Sequence, residues 1–160
     1  MTILSRAFVK EDDPSGGAVV LTDRPISPHP NLVTRRGLRQ IEDRVAQAEQ
    51  ALAAAEGASE TQARAGRELR YWATRLASAR LEIPPASPAS VRFGTTVVGV
   101  DGGGREIRYT IVGEDESEPD AGRIAYTSPV ARALLGAEPG DLRRLPRGEV
   151  EIVAVEPATE

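Results

Sequence analysis

The sequence predicts an α+β protein: an N-terminal antiparallel helical hairpin, then a small antiparallel β domain carrying one short helix. Three observations lead there. Between Thr34 and Ile83, apolar residues recur in alternating steps of three and four, the spacing of a helical seam. Pro84-Pro85-Ala86-Ser87-Pro88 then breaks any helix and leaves a stiff linker. From Val91 the period changes to two, with glycine-rich turns between short runs.

The first seam is Leu38, Ile41, Val45, Ala48, Leu52 and Ala55; the second is Leu69, Trp72, Leu76, Ala79 and Ile83. Gly57 can close one helix and Ser59 can cap the next. Two short matching seams around such a turn predict a hairpin over 34–83 and not an open dimer zipper. Helix one is expected from the Thr34 cap to about Glu56, roughly 33 Å at the standard rise. Helix two is expected from Ser59 to about Glu82, with Trp72 in the seam and Tyr71 and Arg75 off it. Tyr71 is accordingly expected to be exposed.

Residues 1–33 read as an extended or disordered arm, because Pro25, Pro28 and Pro30 forbid helix and favour polyproline-like backbone. Its Phe8 and Ile26 are candidates to dock on a partner or on the β domain, and His29, between two prolines, reads as a turn residue. Residues 84–90 are the linker and 91–156 the second domain. There, Val91–Val100 reads as a strand with a bulge or close contact at Gly94. Asp101 to Gly104 is a hairpin turn and Arg105–Val112 the returning strand. Gly113 to Asp120 is an acidic loop and Ile124–Tyr126 a short strand. Pro129–Leu135 is a helix capped by Ser128 and ended by Gly136, and Gly148–Val155 is a last strand.

Composition removes several classes of function. The chain has no cysteine and one histidine, so thiolate metal sites, disulfides and paired-imidazole chemistry are excluded. No run reaches the roughly 18 apolar residues of a membrane span, and no signal peptide is read in the first twenty residues, so a cytoplasmic protein is expected. Net charge is −4, carried mainly by the second domain, while the hairpin is slightly basic. No segment is basic enough for primary duplex DNA binding, so the expected partner is protein. Neither a Ser-His-Asp set nor a phosphate-cradling loop is present; Asp101-Gly102-Gly103-Gly104 lacks a lysine and a following helix. No enzyme, cofactor or resident metal is expected.

The strings Phe93-Gly94-Thr95-Thr96-Val97, Ile111-Val112-Gly113-Glu114-Asp115-Glu116, Ser128-Pro129-Val130-Ala131-Arg132-Ala133-Leu134-Leu135-Gly136 and Gly140-Asp141 follow in order. Together they resemble the C-terminal domain of the GreA/GreB transcript-cleavage factors. The Thr34-Arg35-Arg36-Gly37-Leu38 entry is similar to the start of that family's coiled coil. The resemblance implies an FKBP-like fold without isomerase activity, held on the rim of the secondary channel of bacterial RNA polymerase. Nucleic acid would then be met only through the elongation complex. It also implies that the coiled coil points down the channel toward the catalytic Mg²⁺. Cleavage-competent members place an Asp-x-x-Glu pair at the tip. This tip offers Glu56 and Glu60 instead, four apart across a glycine turn, on a hairpin several turns shorter than the family norm. The nucleoside diphosphate kinase regulator, a short-coil relative, has a similar build. The expected function is therefore polymerase binding that modulates elongation, with weak or no stimulation of cleavage.

Two alternatives follow from the same residues. One is true cleavage stimulation through Glu56 and Glu60. The other is an isomerase or chaperone, against which stand the few aromatics of that domain: Phe93, Tyr109 and Tyr126. Candidate docking residues are Glu114, Asp115, Glu116, Ser128, Pro129 and Arg132.

Overall fold

The computed structural model describes residues 23–55, 57 and 59–159. Two helices, α1 (Arg35–Ala54) and α2 (Glu60–Ser78), form the expected hairpin. Thr34 caps α1 by accepting the Gly37 amide hydrogen, and Ser59 caps α2 by accepting that of Gln62. Gly57 turns the chain at φ 68°, a backbone conformation that glycine enters without a side-chain clash. Ile41, Tyr71 and Trp72 of the helices form one buried cluster with Val33, which precedes α1, and Leu38, Val45, Leu76 and Ala79 pack around them. Tyr71 and Trp72 meet edge to face at 5.0 Å.

Helix α2 stops at Ser78 and does not continue to Glu82, because the chain becomes extended to pair with an earlier segment. The strand β1 (Leu32–Val33) lies parallel to β2 (Arg80–Leu81). Arg80 donates its amide hydrogen to the Asn31 carbonyl at 2.8 Å, and Glu82 donates to that of Val33 at 3.1 Å. The proline-rich run before helix α1 is thus a strap tied to both ends of the hairpin. Ile26 stays exposed, His29 is exposed at a bend where its amide donates to the Ser27 hydroxyl, and Phe8 lies outside the described residues.

The second unit is a five-stranded sheet with β3 (Thr95–Asp101) at its centre. Beside it lie β4 (Glu106–Val112), β5 (Arg123–Ala125), β6 (Leu142–Leu145) and β7 (Gly148–Pro157), in the order β5-β4-β3-β7-β6. The expected all-antiparallel sheet is corrected here, since β4 and β5 run parallel. Their connection holds two 3₁₀ turns, Glu114–Glu116 and Pro119–Ala121, which carry the chain back across the edge and make a plain hairpin impossible. Strand β6 was not expected; its Leu-Arg-Arg-Leu run is too short and too charged to show a period.

The register shifts between Val98 and Gly99 in the β3–β7 pair, so the irregularity sits there and not at Gly94. A Cβ on Gly99 would lie 2.6 Å from Val150 Cγ1 and 2.8 Å from the Glu151 carbonyl oxygen. Gly94 instead makes the close contact, with Pro84 of the linker. The short helix α3 (Pro129–Leu134) buries Ala131 and Leu134 with Val97, Ile111, Ile124, Val150 and Ile152. The core is aliphatic, as the small aromatic content requires. Phe93 and Tyr126 meet at its margin, 5.9 Å apart.

Candidate functional site

Three places carry the residues singled out in the sequence. The first is the hairpin tip. Glu60 opens α2 and is exposed, while Glu56 lies outside the described residues. Ser59 uses its side-chain oxygen within the chain, capping the helix.

The second is helix α3. Its cap, Ser128, accepts the Ala131 amide hydrogen at 3.2 Å. Pro129 and Arg132 are exposed, and at a spacing of i and i+3 they share one face, opposite Ala131 and Leu134. The burial of those two residues turns Arg132 toward solvent, on the face it shares with Pro129.

The third is the acidic turn after β4. The expectation that it forms an exposed docking loop is corrected for three of its residues, which face the hairpin. Asp115 accepts from Arg75 Nε at 2.5 Å and from the Tyr71 hydroxyl at 2.7 Å. Glu116 is buried and accepts from the Thr34 hydroxyl, 2.8 Å from each carboxylate oxygen. Glu114 accepts from Ser27 at 3.1 Å and from Thr127 at 3.2 Å, with Arg75 Nη2 3.9 Å from its other oxygen. Within the turn only Glu118, Pro119 and Asp120, further along, are exposed.

Arg75 completes the arrangement. It is 2% exposed, and its Nη2 donates to Asn31 Oδ1 at 2.7 Å. A buried guanidinium is tolerated only when its donors are met, and here Asp115, Glu114 and Asn31 surround it. Tyr71 is buried and not exposed as the seam implied. Burial first, then the hydrogen bond to Asp115 and the negative charge of that carboxylate, push the Tyr71 hydroxyl from 10.0 up to about 12. Arg24, stacked 4.0 Å above its ring, and Arg75 pull it the other way. Burial also raises the Tyr126 hydroxyl, which donates to the Pro30 carbonyl at 2.7 Å.

Asn31, Tyr71 and Arg75 were not recognised from the sequence as parts of one site. A two-helix seam reports which residues meet the other helix; it says nothing of a third element packed on the flank. The available signal was pairwise: a helix with Tyr and Arg at i and i+4, followed later by a Glu-Asp-Glu run. Thr34, Tyr71 and Arg75 all lie at one end of the hairpin, so this junction holds its base. Ile41 borders the same small cleft as Gly113 and Asp115, and α1 extends roughly 20 Å beyond it at about 1.5 Å per residue. The geometry is that of a held projection. Among the described residues no helix is long and apolar enough to cross a membrane.

Residues 86–157 match the family described as "Transcription elongation factor, GreA/GreB, C-term". The transcription elongation factor GreA of a Nitratiruptor species is 44% identical over 85 residues, covering 51% of this chain and 52% of that protein. GreA of Desulfovibrio desulfuricans is 39% identical over 107 residues, covering 62% of this chain and 65% of its own. The match spans about half the length of two curated relatives, 52% of the Nitratiruptor protein and 55% of the GreA of Alkalilimnicola ehrlichii. The Gfh1 crystal structure of Thermus thermophilus aligns with 80% of this chain and 99% of its own at 19% identity, with a TM-score of 0.39.

Proposed function

We infer a function from one premise: residues 86–157 belong to the GreA/GreB family of C-terminal domains. The protein binds bacterial RNA polymerase in the cytoplasm, with the β domain resting on the rim of the secondary channel and the hairpin entering it. It modulates elongation and adds little or no transcript cleavage of its own. The observation that supports this reading is the union, in one chain, of that domain with a two-helix projection held rigidly at its base by Arg75 and Asp115. A floppy hairpin would lose its binding energy to ordering; a clamped one enters a pore at lower entropic cost.

The exposed face of α3, with Pro129 and Arg132 beside the Ser128 cap, is the proposed contact with the rim. Glu114, Asp115 and Glu116 act indirectly, by setting the angle of the hairpin. Cleavage would require carboxylates that hold a second Mg²⁺ at about 2.1 Å, and the spacing of Glu56 and Glu60 across a glycine turn does not repeat the Asp-x-x-Glu pair of cleaving members.

Competition for core polymerase against a GreA protein tests the reading. The intact chain is expected to displace labelled GreA, and the Arg132→Glu variant to do so at least tenfold less well. Failure of the intact chain to compete at micromolar concentration overturns it. In stalled complexes, RNA shortening that appears with the intact chain and vanishes in the Glu56→Ala/Glu60→Ala double variant would replace it with the cleavage reading.

A further inference from the structure

The segment 80–83, which follows α2, has a neighbour along one edge only. Arg80 and Glu82 donate their amide hydrogens to the Asn31 and Val33 carbonyls of the strap. Backbone groups alternate sides along a strand, so the N–H and C=O of Leu81 point away from β1. Among the described residues, these two groups, the Ile83 N–H and the Ala79 C=O have no backbone partner. Beyond β1 the next neighbour is the turn after β4, where a Cβ on Gly113 would stand 2.5 Å from the Leu32 carbonyl oxygen. The β domain therefore backs the far edge of this ribbon, and the β2 edge is open.

Every residue of Arg80-Leu81-Glu82-Ile83 is exposed, Leu81 by 44% and Ile83 by 55%. Side chains alternate as well: Arg80 and Glu82 share one face, Leu81 and Ile83 the other. Neither Arg80 nor Glu82 forms an ion pair with any of the described residues. Glu82 borders a cleft that also holds Arg36, Glu116 and Arg123, but Glu116 is bonded to Thr34 and Arg123 to Glu118. The open edge thus carries one cation and one carboxylate that the chain itself leaves unmatched.

This pattern is self-complementary. Laid antiparallel about Leu81, a second copy sets Arg80 against Glu82 and Glu82 against Arg80, with Leu81 facing Leu81 and Ile83 facing Ala79. The outward groups then meet: the Leu81 N–H finds the Leu81 carbonyl and the Ile83 N–H the Ala79 carbonyl, each twice by symmetry. Outward residues must face outward residues, so the nearest other registers lie two residues away on either side. One of them opposes Arg80 to Arg80 and the other Glu82 to Glu82, and like charges directly opposite are destabilising. The length fits too. Helix α2 ends at Ser78 and Pro84 has no N–H to give, which leaves residues 79–83 as the usable edge.

We propose that a second copy of this chain docks on the β2 edge, antiparallel and centred on Leu81, so that two two-stranded ribbons become one four-stranded sheet. A two-stranded ribbon is marginal alone, and an open edge flanked by apolar side chains is a template for pairing. So short an edge buries far less than a standard interface, and the association is therefore weak and dependent on concentration. The inference stands on this edge and does not need the polymerase reading.

Sedimentation of the full chain, from micromolar to hundreds of micromolar, is expected to show a monomer–dimer equilibrium. Arg80→Glu and Glu82→Arg each set like charges opposite one another, and each is expected to weaken dimerisation at least tenfold. Mixed one to one, the two variants bring opposite charges face to face again, and the mixture is expected to regain dimer to within about threefold of the parent. Leu142→Asp, on the edge strand β6, is expected to leave the equilibrium unchanged. A parent chain that stays monomeric throughout overturns the proposal, and so does a mixture no more dimeric than its components. Dimer lost with Leu142→Asp and kept in both charge variants also overturns it, by moving the interface to β6.

Discussion

Asn31 and Arg75 hold each other twice. The Asn31 Nδ2 donates to the Arg75 backbone carbonyl at 2.7 Å, and the Arg75 Nη2 donates back to Asn31 Oδ1 at 2.7 Å. One amide side chain thereby meets both a carbonyl near the end of α2 and a buried cation, and it joins the strap to the hairpin base. Asn31→Ala removes both bonds in a site where Asn31 itself is 5% exposed, leaving the Arg75 carbonyl only the Ser78 hydroxyl at 3.2 Å and the guanidinium only its carboxylates. The expected loss is about 2–3 kcal/mol in urea unfolding, as for one buried hydrogen bond to a carbonyl and one to a cation. Asn31→Asp keeps the acceptor and loses the donor, and is expected to cost less. If both variants unfold with the parent, the reciprocal bond is not what fixes the strap.

Thr34 links two jobs through one hydroxyl. It accepts the Gly37 amide hydrogen at 3.0 Å as the cap of α1 and donates to Glu116 across the domain junction. Thr34→Val, nearly the same shape, removes both and leaves the Glu116 carboxylate buried without its donor. About 2–3 kcal/mol is expected, beyond the roughly 1 kcal/mol of an ordinary lost cap. Thr34→Ser is expected to restore most of it. Hydrogen exchange at the Gly37 amide reports the cap separately from the junction, which global unfolding reads.

Three glycines separate packing from propensity. A Cβ on Gly66, within α2, would meet only the tip of the Arg70 side chain, at 3.6 Å, so Gly66→Ala should stabilise by about 1 kcal/mol. A Cβ on Gly37 would stand 2.5 Å from Glu116 Oε2, and one on Gly113 would stand 2.5 Å from the Leu32 carbonyl oxygen. Glu116 can shift only by releasing Thr34, and the Leu32 backbone belongs to β1. Gly113→Ala is therefore expected to be the most damaging of the three, Gly37→Ala intermediate. Thermal midpoints of the three variants give the order directly.

The sequence made the hairpin legible because each seam residue is apolar for one reason, contact with the other helix. Trp72 follows that logic and is buried. Tyr71 and Arg75 do not, because their partners come from the strap and from the turn after β4, far along the chain. Charge alone gave the wrong surroundings for Glu114, Asp115 and Glu116: an acidic run looks the same whether its cations lie on a partner or on the chain's own α2. The parallel β4–β5 pair escaped notice because a strand of three residues shows no direction in its pattern. The exposed face of α3 was legible, since Pro129 and Arg132 fall opposite the apolar positions of a helix whose cap and end were both marked.

The junction also sets a pH limit. The Tyr71 hydroxyl, donating to Asp115 at 2.7 Å, is raised from 10.0 to about 12 by burial, by that bond and by the adjacent carboxylate. A raised pKa in the folded state means that folding favours the protonated phenol. Its contribution to stability is therefore fully present below about pH 10 and is lost as pH climbs toward 12. Ionised, Tyr71 would set a phenolate against Asp115 and turn a hydrogen bond into a repulsion. Tyr71→Phe removes the titrating group while keeping the ring against Trp72 and beneath Arg24. It is expected to cost about 1 kcal/mol at neutral pH, where Asp115 still has Arg75. Across pH 10 to 12 its stability should fall less steeply than that of the parent chain, so that the two curves converge. Urea midpoints measured for both proteins through this window, with the phenolate absorbance followed alongside, make the comparison. Parallel curves would mean that the Tyr71 proton is not held by the fold, and that the 2.7 Å contact to Asp115 contributes nothing to closing the hairpin base.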